Sequence, residues 1–189
     1  MAKEHLLNEI DNNRIIFMNG DFTETKAEQI ITKLLQYECQ DPTKDIIMFI
    51  DSYGGYVDSF IAIHDIIKLL HCDVATVCIG KAMSCGQMLL MSGTKGKRFI
   101  TPHSRVLLHE ISSWVSGKVT AMEIDLVENK RIQKDVFEKL ILKYTKITRK
   151  QLDNMLGNDA YMDANKCIEL GVVDHIAATS SQLYKYLNI

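Results

Sequence analysis

The sequence predicts an α/β fold whose strands pair in parallel. Two apolar runs, Ile46 to Ile50 and Val74 to Ile79, are continuous rather than alternating, as expected of strands covered on both faces. Between and after them, apolar residues return at helical spacing. The 189 residues hold two prolines and no low-complexity stretch, so one domain, 1–189, is expected with no linker.

Along the chain, Arg14-Ile15-Ile16-Phe17 forms a short strand that turns at Asn19-Gly20. Thr25 with Glu28 reads as a capping box. Behind it Ala27, Ile30, Ile31, Leu34 and Leu35 share one helical face up to Asp41-Pro42. After the strand 46–50 and Gly54-Gly55, a second helix places Ile63, Ile66, Ile67 and Leu70 on one side. The strand 74–79 leads to a short helix from Ser84 to Ser92, closed by Gly93. Short strands follow at 98–100 and 106–108. A long helix then runs from about Thr120 to Tyr144, roughly 37 Å at 1.5 Å per residue. Its apolar positions, Ile124, Leu126, Val127, Ile132, Val136 and Leu140, exceed what one small domain covers, so a second subunit is expected against it. Thr148 with Gln151 caps a helix stopping near Gly157, and a last helix, 163–170, ends at Gly171.

Composition narrows the function classes. A net charge of −2 provides no electrostatic footprint for nucleic acid or an anionic membrane surface. No stretch has the roughly 18 apolar residues of a membrane span. The acidic start, Met1 to Ile10, does not resemble a secretory signal, and a cytoplasmic protein is expected. The five cysteines form no C-x-x-C pair and read as free, buried thiols. His71-Cys72 approaches a metal-ligand pair most nearly, but a solvated pair at a helix end is the simpler reading.

The candidate chemistry lies at the strand ends. Ser84 opens a helix after a buried strand, beside unpaired N–H groups at the positive helix end. There the Cys85 amide can face a developing oxyanion. Gly54-Gly55 follows another buried strand, where glycines permit positive φ and close backbone approach; an N–H there could be a second donor. His109 ends the run Val106-Leu107-Leu108, in reach of a general-base role, and Asp159 sits in a loop where it could orient an imidazole. Each has a plainer reading: a helix cap for Ser84, a turn for the glycines, a structural histidine, and a capping or turn aspartate.

Together these residues fall within stretches that resemble the proteolytic subunit (ClpP) family of the ATP-dependent Clp protease. They are Arg14-Ile-Ile-Phe, Asp45-Ile-Ile-Met-Phe-Ile-Asp-Ser-Tyr-Gly-Gly and Thr76-Val-Cys-Ile-Gly-Lys-Ala-Met-Ser-Cys-Gly. Gly93-Thr-Lys-Gly-Lys-Arg-Phe-Ile-Thr-Pro-His-Ser-Arg-Val-Leu-Leu-His109 and Glu169-Leu-Gly-Val-Val-Asp174 complete the set, in the family's order from about residue 14 to 176. The resemblance implies a crotonase-like spiral of β-β-α units with a projecting handle helix, about 120–144. It implies Ser84 as nucleophile, His109 as general base, Asp159 as its orienter, and the amides of Gly55 and Cys85 as oxyanion hole. Substrate would add as a strand along Gly55, Tyr56 and Val57 and along Ile111, Ser112 and Ser113.

The resemblance further implies two stacked seven-membered rings, fed with unfolded polypeptide by a ClpX- or ClpA-like AAA+ unfoldase. No cofactor or metal is expected in the chain itself, since ATP belongs to that partner. The chain departs from the family at Tyr53, where proline usually stands, across Glu110 to Trp114, at Asn158, where arginine is common, and in its short segment before Arg14. Two other classes share the fold: an acyl-CoA hydratase or isomerase of the crotonase type, and a catalytically idle ring subunit. No nucleotide-binding glycine motif occurs.

Overall fold

The computed structural model describes residues 13–114 and 116–188; the segment before Arg14 lies almost wholly outside them. Strands β1 (Ile15–Asn19), β2 (Ile46–Ser52) and β3 (Val74–Met83) pair in parallel, in the order β1-β2-β3. Helix α1 (Glu24–Gln40) connects the first two and α2 (Val57–Leu69) the second and third. Apolar side chains on both faces of β2 and β3 are buried, which explains their unbroken apolar runs.

On its edge away from β2, β3 serves two partners. Its first half pairs with β4 (Arg98–Ile100) and its second half with β5 (Arg105–Leu108), both in parallel. The direction changes at Gly80, whose φ of +67° suits glycine and whose missing side chain clears the Asp51 carboxylate. The register of β2 against β3 slips in the same place, between Ile50 and Ser52. This split lets the chain advance as a spiral: β5 continues antiparallel into β6 (Ala160–Met162), while β4 carries β7 (His175–Ile176).

Helix α3 (Cys85–Met91) is wholly buried beneath the sheet. The handle is α4 (Val119–Ile132), a π-helical turn at Gln133–Phe137, and α5 (Glu138–Tyr144). Ile132, Val136 and Leu140 pack on the core, whereas Ile124 and Val127 stand 69% and 68% exposed. Helices α6 (Arg149–Leu156), α7 (Ala164–Glu169) and α8 (Ser180–Tyr184) complete the described chain.

Several local expectations change. Thr23, not Thr25, caps α1 by accepting the Lys26 N–H, and Leu35 faces solvent, its place in the core taken by Tyr37. The Thr148–Gln151 capping box is formed as expected. The helix 163–170 is not the last, because α8 follows with its own capping box at Thr179 and Gln182. Cys39 is exposed, while the other four thiols are buried and all five are free. Glu38 binds both backbone N–H groups and the imidazole of the His71-Cys72 pair, so Cys72 is buried rather than solvated. Among the described residues no group of three or more His, Cys, Asp or Glu side chains could hold a metal ion. Nor is any helix there long and apolar enough to cross a membrane.

Candidate active site

Ser84 joins β3 to α3 with φ 54° and ψ −123°, a conformation costly for a residue with a side chain. Its N–H donates to Leu107 O at 3.1 Å, prolonging the β3–β5 pairing, and its carbonyl accepts from Met88 to begin the helix. The side chain makes no capping hydrogen bond, which removes the helix-cap reading. Its strain is therefore held by the sheet on one side and the helix on the other. The Oγ has no capping role and lies beside the Cys85 thiol.

The two glycines divide their tasks. A Cβ at Gly54 would lie 2.7 Å from Ser84 Cβ and 3.2 Å from its Oγ, so only glycine lets the β2 end pass this close. A Cβ at Gly55 would instead collide with the Phe22 backbone, 2.5 Å from its nitrogen. Phe22 donates to Gly54 O and accepts from the Tyr56 N–H, both at 2.8 Å. In an extended chain, successive peptide groups point to opposite edges. The Gly55 N–H and C=O thus face away from Phe22, toward α3, where Gly55 O accepts the Cys85 thiol at 3.4 Å. Neither the Gly55 N–H nor the Cys85 N–H, first in its helix, bonds a backbone oxygen among the described residues; both lie beside the Cys85 sulfur.

The Cys85 thiol, next to Ser84, is a rival nucleophile by position only. Burial pushes its pKa up to about 11, so it is protonated near neutrality and poorly nucleophilic.

His109 follows β5 and lines one cleft with Ser84. The remaining wall includes Gly55, Val57, Met88, Ile111, Ser112, Gln133 and Phe137. Asp159 stands directly before β6, with φ 39°, and is exposed. The antiparallel register ends with Leu108 against Ala160, and His109 and Asp159 stand one residue beyond that last pair, on either side of it. Ser84 and Asp159 are two of three described residues other than glycine with positive φ. No hydrogen bond joins the Ser84, His109 and Asp159 side chains among the described residues, and Asp159 lies outside the cleft lining. It caps no helix either; Asp163 does this for α7.

Of the residues expected along the substrate, Gly55, Val57, Ile111 and Ser112 line the cleft. Tyr56 is exposed, with its N–H engaged by Phe22. Ser113 turns toward the handle, accepting from Asn129 Nδ2 at 3.1 Å. Gln133 was invisible to sequence reasoning: its Oε1 accepts the Ile111 N–H at 2.9 Å across 22 residues of chain. It entered the sequence only as one polar position on a long helix.

Comparison with known proteins agrees with this architecture. The Clp protease family model matches residues 2–180. The chain is 38% identical over 164 residues to ATP-dependent Clp protease proteolytic subunit 1 of Rhodopirellula baltica, covering 87% of this chain and 72% of that one. It is 35% identical over 170 residues to proteolytic subunit 2 of Chlamydia trachomatis serovar D and of Chlamydia muridarum, covering 90% of this chain and 83% of each relative. With a split parallel spiral, a projecting handle and a serine turn facing a glycine pair, the chain belongs to the Clp protease family.

Proposed function

We propose that the cleft hydrolyses peptide bonds by a serine mechanism. Ser84 Oγ attacks the carbonyl carbon of the scissile bond while His109 takes its proton. The N–H groups of Gly55 and Cys85 donate to the oxyanion, a contribution of about 3 kcal/mol per donor in comparable sites. His109 then passes the proton to the leaving amine, and an acyl-Ser84 ester remains. Water attacks that ester by the same route in reverse, which frees the acid product and restores the serine. Asp159, which stands with His109 just beyond the last β5–β6 pair, turns inward to hold the imidazole tautomer.

The observation that carries the reading is the Ser84 turn: strained, without a capping role, packed over Gly54 and flanked by two amides that bond no backbone oxygen. The relatives are named as proteolytic subunits of an ATP-dependent protease, and the family resemblance extends the reading to stacked rings in the cytoplasm that receive unfolded chains from an AAA+ partner. The reading requires no cofactor in this chain.

Fluorophosphonate treatment followed by intact mass and peptide mapping tests the nucleophile. One adduct is expected, on Ser84, and Ser84→Ala should lose both the adduct and cleavage of a fluorogenic peptide. An adduct that persists in Ser84→Ala overturns the assignment. The absence of hydrogen bonds among the three side chains favours a second reading, an idle ring subunit. That reading predicts no adduct in the parent protein.

A further inference from the structure

The cleft beside Ser84 has an apolar side wall formed by Val57, Met88, Phe137 and Ile141, next to the polar Gln87, Glu110 and Ser112. Gln133 interrupts that wall from the π-helical turn. Its Oε1 must be the atom that accepts the Ile111 N–H, because a backbone donor cannot bond to an amide nitrogen that is itself a donor. This fixes the rotation of the carboxamide. Its Nε2 is then held fully buried with no hydrogen-bond partner. Ser59 Oγ is the one other such side-chain atom among the described residues. A desolvated donor without an acceptor is costly, and a ligand that supplies the acceptor recovers the cost.

We propose that Gln133 is a specificity-determining residue that selects, on the acyl side of the scissile bond, a side chain ending in an uncharged hydrogen-bond acceptor, glutamine above all. The proposal rests on the reading of Ser84 as a peptidase nucleophile. Purely apolar side chains fit the wall but leave Nε2 orphaned. Sites built to hydrogen-bond a substrate group discriminate strongly against analogues that lack it. The cleft as it stands has room for about two waters, so side-chain entry moves the wall. The π turn is where that movement is easiest. There the Glu138 N–H reaches back to Gln133 O, an i→i+5 bond in place of the tighter helical one.

The test uses two fluorogenic peptides identical except at the residue whose carbonyl is attacked. One carries methionine and the other methionine sulfoxide, which adds a strong acceptor and no donor. In the parent protein the sulfoxide peptide is preferred in kcat/KM. Gln133→Met removes the donor, and the sulfoxide-to-methionine ratio should fall about tenfold, within roughly 5- to 150-fold for one buried donor. Gln133→Glu, assayed at pH 8, keeps an oxygen for the Ile111 N–H but replaces the donor, and the ratio should fall likewise. This second variant separates loss of the donor from loss of the Ile111 tie. A ratio within twofold of the parent value in both variants means that water serves Nε2, and it overturns the inference. Cleavage that survives Ser84→Ala strikes the underlying peptidase reading instead, whatever the ratio.

Discussion

At the scale of single residues, the site is built from backbone positions that resist substitution. Ser84 and Asp159 both hold positive φ, and Gly54 is glycine because Ser84 lies against it. Strain of this kind persists only where the surroundings over-determine it. For Ser84 those surroundings are the Leu107 carbonyl and the buried helix α3. Asp159 directly precedes β6 and is exposed, so it is the freest member of the candidate triad. Asp159→Asn should leave the fold intact and lower turnover by on the order of 10⁴-fold, the loss expected when a triad carboxylate no longer selects the tautomer. Steady-state cleavage beside circular dichroism measures both. A loss below about tenfold would move the orienting role to another carboxylate. Ser84, His109 and the glycine pair were visible in the sequence as candidates near strand ends, and the family resemblance singled them out. The position of Asp159 was legible only through family resemblance, since the three-residue strand after it is too short to show a period.

At the scale of elements, one buried ion pair joins two separate parts of the spiral. Arg98 on β4, 1% exposed, donates to Asp174 from Nε at 2.8 Å and from Nη2 at 2.7 Å. Its Nη1 also reaches Tyr144 O at the end of the handle, at 2.8 Å. Burial alone would raise the Asp174 pKa, but the Arg98 bonds bring it down to about 2, from a usual 3.8. A folded-state pKa below the unfolded one stabilises the protein above the unfolded value, and that contribution disappears as pH falls through the folded value. The Arg98–Asp174 contribution should therefore be complete above about pH 4 and vanish toward pH 2. Urea titrations across that window should show a steeper fall for the parent protein than for Asp174→Asn. The variant should already be less stable at pH 7, by about 3 kcal/mol, because the buried guanidinium loses its partner. Equal slopes in both proteins would show that the pair does not set acid stability.

At the scale of the whole molecule, the handle has more apolar surface than the domain covers. Ile132, Val136 and Leu140 return to the core, but Ile124, Leu126 and Val127 face outward on the part that projects. A ring of identical chains needs a heterologous interface that closes, and two rings can then meet through isologous contacts. The double variant Ile124→Ser, Val127→Ser should shift sedimentation toward smaller species, with peptide cleavage falling in parallel. The exposed Asn158 makes only a neutral bond to Asn154 O, at 2.9 Å, where an arginine would bring charge. Charge-assisted bonds are about twice as strong as neutral ones. The parent assembly should accordingly dissociate on dilution, its activity declining alongside. A fully active monomer would refute the link between assembly and activity.

The sequence alone determined the parallel α/β class, the order of the main strands and helices, and the strand ends that carry Ser84, His109 and the glycines. These follow from apolar periodicity, capping residues and glycine placement, all of which act within a few residues of chain. The tertiary structure decided what depends on distant contacts. It split one edge of β3 between two partners, set Asp159 and His109 just beyond the last β5–β6 pair, and assigned Gly54 to Ser84 and Gly55 to Phe22. It also widened one turn of the handle into a π-helix and brought Gln133 against Ile111. A hydrogen bond or close approach between residues tens of positions apart leaves no period in either segment, so only the packed chain reveals it.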